Sequence, residues 1–498
     1  MQLTNLLNFS DSIKIVQGDK NIDITHLTSD SRDVQQGSLF VAISGEKVDG
    51  HKFINSAIRK GAIAILTDGR DVEVPKTVSV LTANNVRREF AKACARFWSL
   101  RPNFLVGVTG TNGKTSTVEF LRQIWERNTW NAVSLGTLGV RTSSKLNLPF
   151  SGLTTPSSEY LFSALNIFCK NNISYAAIEA SSHGLEQDRM TGLKFQVAIF
   201  TNLGRDHLDY HKDSEAYFKS KEKLFLNYLQ DGGQAVINID DCYGRKLIQN
   251  LKNRPINIKT FGEHVDADFR IESIKPTNYG LELEVCHNNT RYICPLGLTG
   301  AFQAKNVLAA AIAAHLSGLP VENTLRTISF LTAIDGRMQP IHGHPRNALI
   351  VIDYAHTPDA LEQVLISLKN QTERKVYVVF GCGGERDRGK RSQMGKVAEK
   401  IADSIIITDD NPRNESASKI RRDILAGCPD AIQIANRDEA IEFAINQLQH
   451  SDSLLIAGKG HENLQLIGSE TLPFNDAVVA RNSVMRLRET ILKSEAKK

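Results

Sequence analysis

The chain alternates short apolar runs with polar, turn-forming clusters, and the period of that alternation changes along its length. In the first hundred residues, runs such as Gly37-Ser38-Leu39-Phe40-Val41-Ala42-Ile43 read as strands, and apolar positions over 86–100 recur at helical spacing until Pro102 stops them. A boundary falls near Ser99. Residues 104–108 then form a buried-strand signature that runs into a glycine-rich turn and an amphipathic helix with Val118, Leu121 and Trp125 on one side. Further apolar strands at 175–178, 197–200 and 235–237, separated by helical patterns, predict a parallel α/β sheet, closed by a small-residue helix over 306–316. A second series at 349–352, 376–380, 404–407 and 453–456 predicts a separate doubly wound unit.

At 498 residues the chain is too long for one core, which suits three domains of roughly 100 to 200 residues each. The expected spans are 1–99, 100–334 and 335–498. A net charge of +5 from 60 basic and 55 acidic residues is too small an excess to argue for nucleic acid. Seven scattered cysteines, never spaced as CxxC, indicate neither a disulfide framework nor a zinc site. The start, MQLTNLLNFSDSIKI, lacks a basic region followed by an apolar run, and no stretch approaches the 18 or so apolar residues of a membrane span. The expectation is a cytoplasmic, monomeric enzyme that binds no membrane.

The segment from Gly107 to Ser116 places Gly110, Thr111, Asn112, Gly113, Lys114, Thr115 and Ser116 at a strand-to-helix turn. Glycine-freed N–H groups and the helix amino end can wrap a phosphate, Lys114 reaches the terminal phosphates, and Thr115 suits Mg²⁺. The strict P-loop pattern would need glycine at 108, where this chain has Val108.

Glu179 ends the 175–178 run, where the carboxyl ends of parallel strands build active sites. The next strand ends in Arg205-Asp206-His207-Leu208-Asp209-Tyr210-His211, from which His207 is chosen as a second metal ligand. A histidine here is equally readable as an ordinary hydrogen-bonded loop residue. After Ser214, Tyr217, Lys221, Leu224, Phe225 and Tyr228 share one helical face, which puts Lys221 on an apolar stripe. A buried ammonium must snorkel, pair, or be neutralised by chemistry.

Together TGTNGKTS, EASSHG, DHLDYH and YFKSKEKLF resemble the Mur ligase family, whose members couple ATP hydrolysis to amide-bond formation on UDP-linked muramyl precursors. The resemblance covers nearly the whole chain. It implies a small α/β UDP-binding domain, a central P-loop ATPase domain and a C-terminal Rossmann-like domain that receives the amino acid. It implies that Lys221 carries a CO₂-derived carbamate and holds Mg²⁺ with Thr115, Glu179 and His207, and that Lys114, His207 and Lys221 are catalytic. Ser29, Ser31 and the loop Glu46-Lys47-Val48 match positions on the UDP side, and Thr154, Thr155, Ser181, Gln187 and Arg189 match those holding the muramyl dipeptide and diphosphate. Asn306, Arg337 and Asp353 match the adenine, phosphate and ribose contacts of ATP. Where many relatives have asparagine three residues before Asn306, this chain has Gln303.

Three pieces of the last domain resemble the amino-acid pocket of the tripeptide-forming branch: GGERDRGKR with Arg386, Asp410-Asn411-Pro412-Arg413, and GKGHE with Gly458 and Glu462. Meso-diaminopimelate differs from lysine by one distal carboxylate, which calls for a cation of forked geometry, and Arg413 supplies it. The implied reactants are ATP, the UDP-N-acetylmuramoyl dipeptide and meso-diaminopimelate, joined through an acyl phosphate with domain closure near Ile334. Two other readings stand beside it, a folylpolyglutamate synthetase and a P-loop switch without ligase chemistry.

Overall fold

The computed structural model describes residues 1–495 except 10–11, 46–47, 71–72, 147, 205–209 and 278–279, with side chains to 493. Among the described residues, three large sheets follow one another along the chain. The first has five strands, four of them parallel and formed by His26–Thr28, Ser38–Val41, Ala62–Thr67 and Ser79–Ala83, with Ile13–Gln17 antiparallel at one edge. The helix Val86–Phe97 ends it, capped by Asn85, whose side chain accepts the Arg88 N–H.

The second sheet has ten strands. Phe104–Thr109 lies between Phe195–Phe200 and Tyr175–Glu179, all parallel. Such a strand is covered on both faces, which is why its residues past Phe104 are buried without alternation. The expected parallel sheet is therefore present, but it is wider than the apolar runs suggested. Gly139–Arg141 turns back antiparallel at one edge, and Phe269–Thr277, Gly280–His287 and Thr290–Leu296 form an antiparallel meander at the other. The meander alternates buried and half-buried positions, a weaker signal than a continuous apolar run. The helix Ala301–Leu316 is buried on nearly all sides and packs on the phosphate-loop helix Lys114–Arg127.

The third sheet sets Leu349–Asp353, Ser453–Ala457, Val376–Phe380, Ser404–Ile407 and Ile432–Gln433 parallel, with Gln339–Ile341 antiparallel at one edge. A hairpin of Leu464–Ile467 and Glu470–Pro473 follows. No helix among the described residues is long and apolar enough to cross a membrane.

Candidate active site

The strand Phe104–Thr109 delivers the loop 110–113 to the amino end of Lys114–Arg127. Gly113 adopts φ 86°, and a Cβ there would collide with the Asn306 side chain, so only glycine lets Asn306 close against the loop. Lys114 folds over the loop and donates from Nζ to Gly110 O at 2.8 Å and Thr111 O at 2.7 Å.

Glu179 meets the loop from the neighbouring strand. Its carboxylate accepts from Thr115 Oγ1 at 3.1 Å, the Thr137 N–H at 2.8 Å and Thr137 Oγ1 at 3.2 Å. Burial pushes its carboxyl above the ordinary range, and Lys114, the Thr137 N–H, Arg337 and Thr115 oppose that rise only in part. A buried carboxylate beside a threonine hydroxyl is an oxygen donor pair suited to Mg²⁺, and a dication there would relieve the desolvation.

Lys221 is 1% exposed, and its Nζ donates to Gly110 O at 2.8 Å, 4.2 Å from the Tyr217 ring centre. Snorkelling is thereby excluded. The helix Ser214–Lys223 continues into a π-helical turn over Leu224–Tyr228, which still buries Leu224, Phe225 and Tyr228 on the expected side.

These groups surround a cavity of about 160 Å³ lined by Thr111 to Ser116, Glu179, Lys221, Thr154, Ser181 and Arg337. Arg337 reaches in from the last domain, with Nη2 donating to Thr115 Oγ1 at 3.2 Å and its guanidinium 4.5 Å from the Tyr354 ring centre. A neighbouring cavity of about 500 Å³ takes Asn112, Gly113 and Ser116 on one wall and Asn306, Arg337 and Asp353 on others, a nucleotide-sized space continuous with the loop. Asp353 accepts the Met338 and Ala355 N–H groups at 2.8 Å each, and burial raises its carboxyl.

On the third sheet a cleft of about 540 Å³ gathers Arg386, Asp410, Asn411, Arg413, Gly458 and Glu462 from three strand ends. Arg413, at φ 52°, is held between the Leu466 carbonyl and the Gly468 N–H, and its Nη1 donates to Gly384 O at 2.9 Å. Pro412 is buried. Thr154, Tyr354 and His356 line both this cleft and the phosphate-loop cavity, so the two spaces meet.

The residues expected on the precursor side fall in two groups. Thr155, fully buried, donates to the Glu179 carbonyl at 2.7 Å and accepts the Ser181 N–H at 2.9 Å, which ties Thr154 and Ser181 to the cavity wall. Arg189 grips Thr155 O at 2.5 Å and Gln187 Oε1 at 2.7 Å, and burial together with nearby Arg87 lowers its pKa. Farther off, Ser29 donates its N–H to Glu159 at 2.9 Å, Ser31 is half-buried, and Val48 is 57% exposed. These three line none of the cavities described. Glu46, Lys47 and His207 lie outside the described residues.

Several contributors were not singled out by the sequence reading. Thr137 has no motif to mark it, and Arg87 lay hidden in an ordinary helical pattern. Gln303, set aside as a departure, accepts from Asn306 Nδ2 at 3.0 Å and so fixes that side chain. Arg391, fully buried, donates to both oxygens of Glu415 and to Asp423 at 2.8 Å, anchoring the loop that carries Arg386. His461, against Tyr354, is pushed down to about 4 by burial and by Arg337 and Arg141.

Family models match three consecutive segments: Mur ligase family, catalytic domain, at 23–99; Mur ligase middle domain at 108–314; and Mur ligase, glutamate ligase domain, at 336–460. A UDP-N-acetylmuramoyl-L-alanyl-D-glutamate–2,6-diaminopimelate ligase from Agrobacterium fabrum is 40% identical over 94% of this chain and 94% of its own. Its counterpart from Mesorhizobium japonicum is 41% identical over 92% and 94%. A solved ligase of the same description matches at TM-score 0.70 and 31% identity, over 98% of this chain and 99% of its own. A Mycobacterium tuberculosis folylpolyglutamate synthase in complex with ADP and AMPPCP matches 79% of this chain and 94% of its own at TM-score 0.63, but its 16% identity speaks to the fold alone.

Proposed function

The chain belongs to the Mur ligase family, and on that premise we propose that it is an ATP-dependent ligase that adds meso-diaminopimelate to UDP-N-acetylmuramoyl-L-alanyl-D-glutamate in peptidoglycan precursor synthesis. One observation carries the reading: the phosphate-loop cavity and the Arg386–Arg413 cleft share Thr154, Tyr354 and His356. An activated carboxylate formed in the first can there be met by an amine held in the second. We assign the three domains to 1–99, 100–334 and 335–498, and ATP to the cavity between the phosphate loop and Asn306.

In this reading the precursor's D-glutamyl side-chain carboxylate attacks the γ-phosphate of ATP in line, giving an acyl phosphate and ADP. The amine of diaminopimelate then attacks the acyl carbonyl, an amide forms, and phosphate leaves. Carboxylate and triphosphate repel each other, so the site must neutralise charge before it can position the reactants. Lys114 and Arg337 supply fixed cations on the two sides of the loop. Thr115 and Glu179, with a carbamate on Lys221 and with His207, would hold Mg²⁺, which supplies Lewis-acid neutralisation of the phosphates. Lys221 suits carbamylation because its Nζ is buried at the wall of this cavity, where a carboxylate-like group would face Glu179 and the loop. In the cleft, Arg413 would take the distal carboxylate of diaminopimelate and Glu462 an ammonium.

The test is phosphate release by the whole chain with Mg·ATP, supplied with the UDP dipeptide, with diaminopimelate, or with both. Release that requires both supports the reading. Release with ATP alone would favour a nucleotide switch, and release with lysine in preference to diaminopimelate would reassign the pocket.

A further inference from the structure

Lys459, the second residue of the GKGHE segment, is completely buried yet belongs to none of the assignments above. An ammonium out of water is tolerated only when its three N–H donors are matched. Here they are: Nζ donates to Asn411 Oδ1 at 3.0 Å, to Glu462 Oε2 at 2.9 Å and to Leu464 O at 2.8 Å. The two side-chain partners are themselves joined, since Asn411 Nδ2 donates to Glu462 Oε2 at 2.8 Å. Asn411 Oδ1 also takes the Leu466 N–H at 3.0 Å, so the amide cannot turn over without breaking every bond it makes. Glu462 Oε2 is thus occupied twice from within, while Oε1 takes no hydrogen bond from the described residues and remains for a ligand.

The same arrangement sets the charge of the cleft. Its wall carries Arg386, Lys390 and Arg413 against Asp387, Asp410 and Glu462, three cations against three anions. Lys459, bonded to Glu462 from behind, adds one cation beside that even count of wall charges. Diaminopimelate, with two ammonium and two carboxylate groups, carries no net charge, whereas lysine carries one positive charge. A net positive wall disfavours the second without penalising the first.

We infer that Lys459 is a positioning residue that sets amino-acid specificity: its buried ammonium orients Asn411 and Glu462 and holds the cleft positive, so that a zwitterion without net charge is preferred to a monocationic amino acid. The inference rests on the reading of this cleft as the amino-acid site. It assigns specificity to a side chain that need not touch the substrate, in addition to the forked contact expected of Arg413.

The experiment measures kcat/KM for meso-diaminopimelate and for lysine at saturating ATP and UDP dipeptide, in wild type, Lys459→Met, Lys459→Gln and Lys459→Arg. Lys459→Met is expected to raise the diaminopimelate KM roughly tenfold or more, to leave the KM values of ATP and the UDP dipeptide unchanged, and to lower the diaminopimelate-to-lysine ratio by roughly tenfold. Lys459→Gln, which keeps hydrogen-bonding capacity but no charge, should lower the ratio as well, and Lys459→Arg should keep it. Should Lys459→Met fail to fold, the contrast between Gln and Arg decides. Equal loss toward both amino acids, or the same ratio in Gln as in Arg, overturns the role of Lys459 while leaving the pocket standing. A wild type that binds ATP and the UDP dipeptide but releases no phosphate with diaminopimelate overturns both.

Discussion

The two junctions between neighbouring sheets are built from different materials. At the first, Phe90, Ala91 and Cys94 of the helix Val86–Phe97 share one apolar core with Leu161, Phe162 and Leu165 of the helix Ser158–Lys170. At the second, the central and last cores are separate clusters, and Phe302, on the central helix Ala301–Leu316, packs against the last core. Polar contacts span that second boundary as well: Arg337 to Thr115 at 3.2 Å and Arg141 to Asp335 at 3.1 Å. Apolar burial is lost whenever two surfaces part, whereas a hydrogen bond is exchanged for another at little net cost. The first junction therefore resists separation more than the second does. The second can be remade around nucleotide and amino acid, and it carries the groups that would touch both.

The largest effect expected from this contrast is on stability. Phe90→Ala should cost about 3 to 5 kcal/mol, because it opens a cavity in the shared core, and denaturant unfolding should show the first two domains melting at lower concentration. A variant in which only the first sheet is destabilised would mean that the core does not couple them.

Arg337→Ala removes a cation at the polar junction and should behave in the opposite way. Phosphate release should fall by roughly 10² to 10³, with unfolding almost unchanged. A matching loss of stability would show that Arg337 glues the domains together rather than serving the reaction.

A third, smaller effect follows from Glu179. Its folded-state pKa lies above the unfolded one, so its contribution to stability is fully present below about pH 4.3 and is lost as pH rises through the folded value. Without Mg²⁺, the Tm of wild type relative to Glu179→Gln should thus fall as pH rises above about 4.3, and Mg·ATP should reverse the trend. A difference that stays flat with pH, or that rises, would mean the carboxylate is not penalised by burial.

The smallest effect should come from Asp335→Asn. The Arg141 and Asp335 side chains are 45% and 58% exposed, so their ion pair is screened and worth about 0 to 1 kcal/mol. Only a slight, salt-sensitive change in the affinity for amino acid is expected. A tenfold change would make this pair a true latch.

Much of the site could be read before any fold was known, because phosphate binding and strand-end carboxylates depend on local order along the chain. Gly110 to Ser116 lie at a strand-to-helix turn, and Glu179 ends the strand beside them, as the apolar runs on either side required. Lys221 was legible as an anomaly on an apolar face, and its 1% exposure bears out the burial. The antiparallel meander was missed because half-buried strands carry only alternation, and Thr137 was missed because nothing in its neighbourhood marks chemistry.

By itself, then, the sequence determined which turns can bind phosphate, which face of each helix is buried, and which carboxylates stand at strand ends. These follow from periods of two and of 3.6 residues and from the conformational freedom of glycine. Only the tertiary structure decided what meets what. Arg337 and Thr115 stand 222 positions apart, and Lys459 and Asn411 stand 48 apart, yet each pair is within hydrogen-bond reach. Gly336, at φ 65°, lies so close to Gly460 and His461 that a Cβ would collide with their backbone, which seats the segment around Gly336 on the loop after the strand Ser453–Ala457. No period along the chain encodes such approaches, because they arise from the packing of separate sheets. That packing brings the loop 110–113, Arg337 and the Arg386–Arg413 cleft around one shared wall.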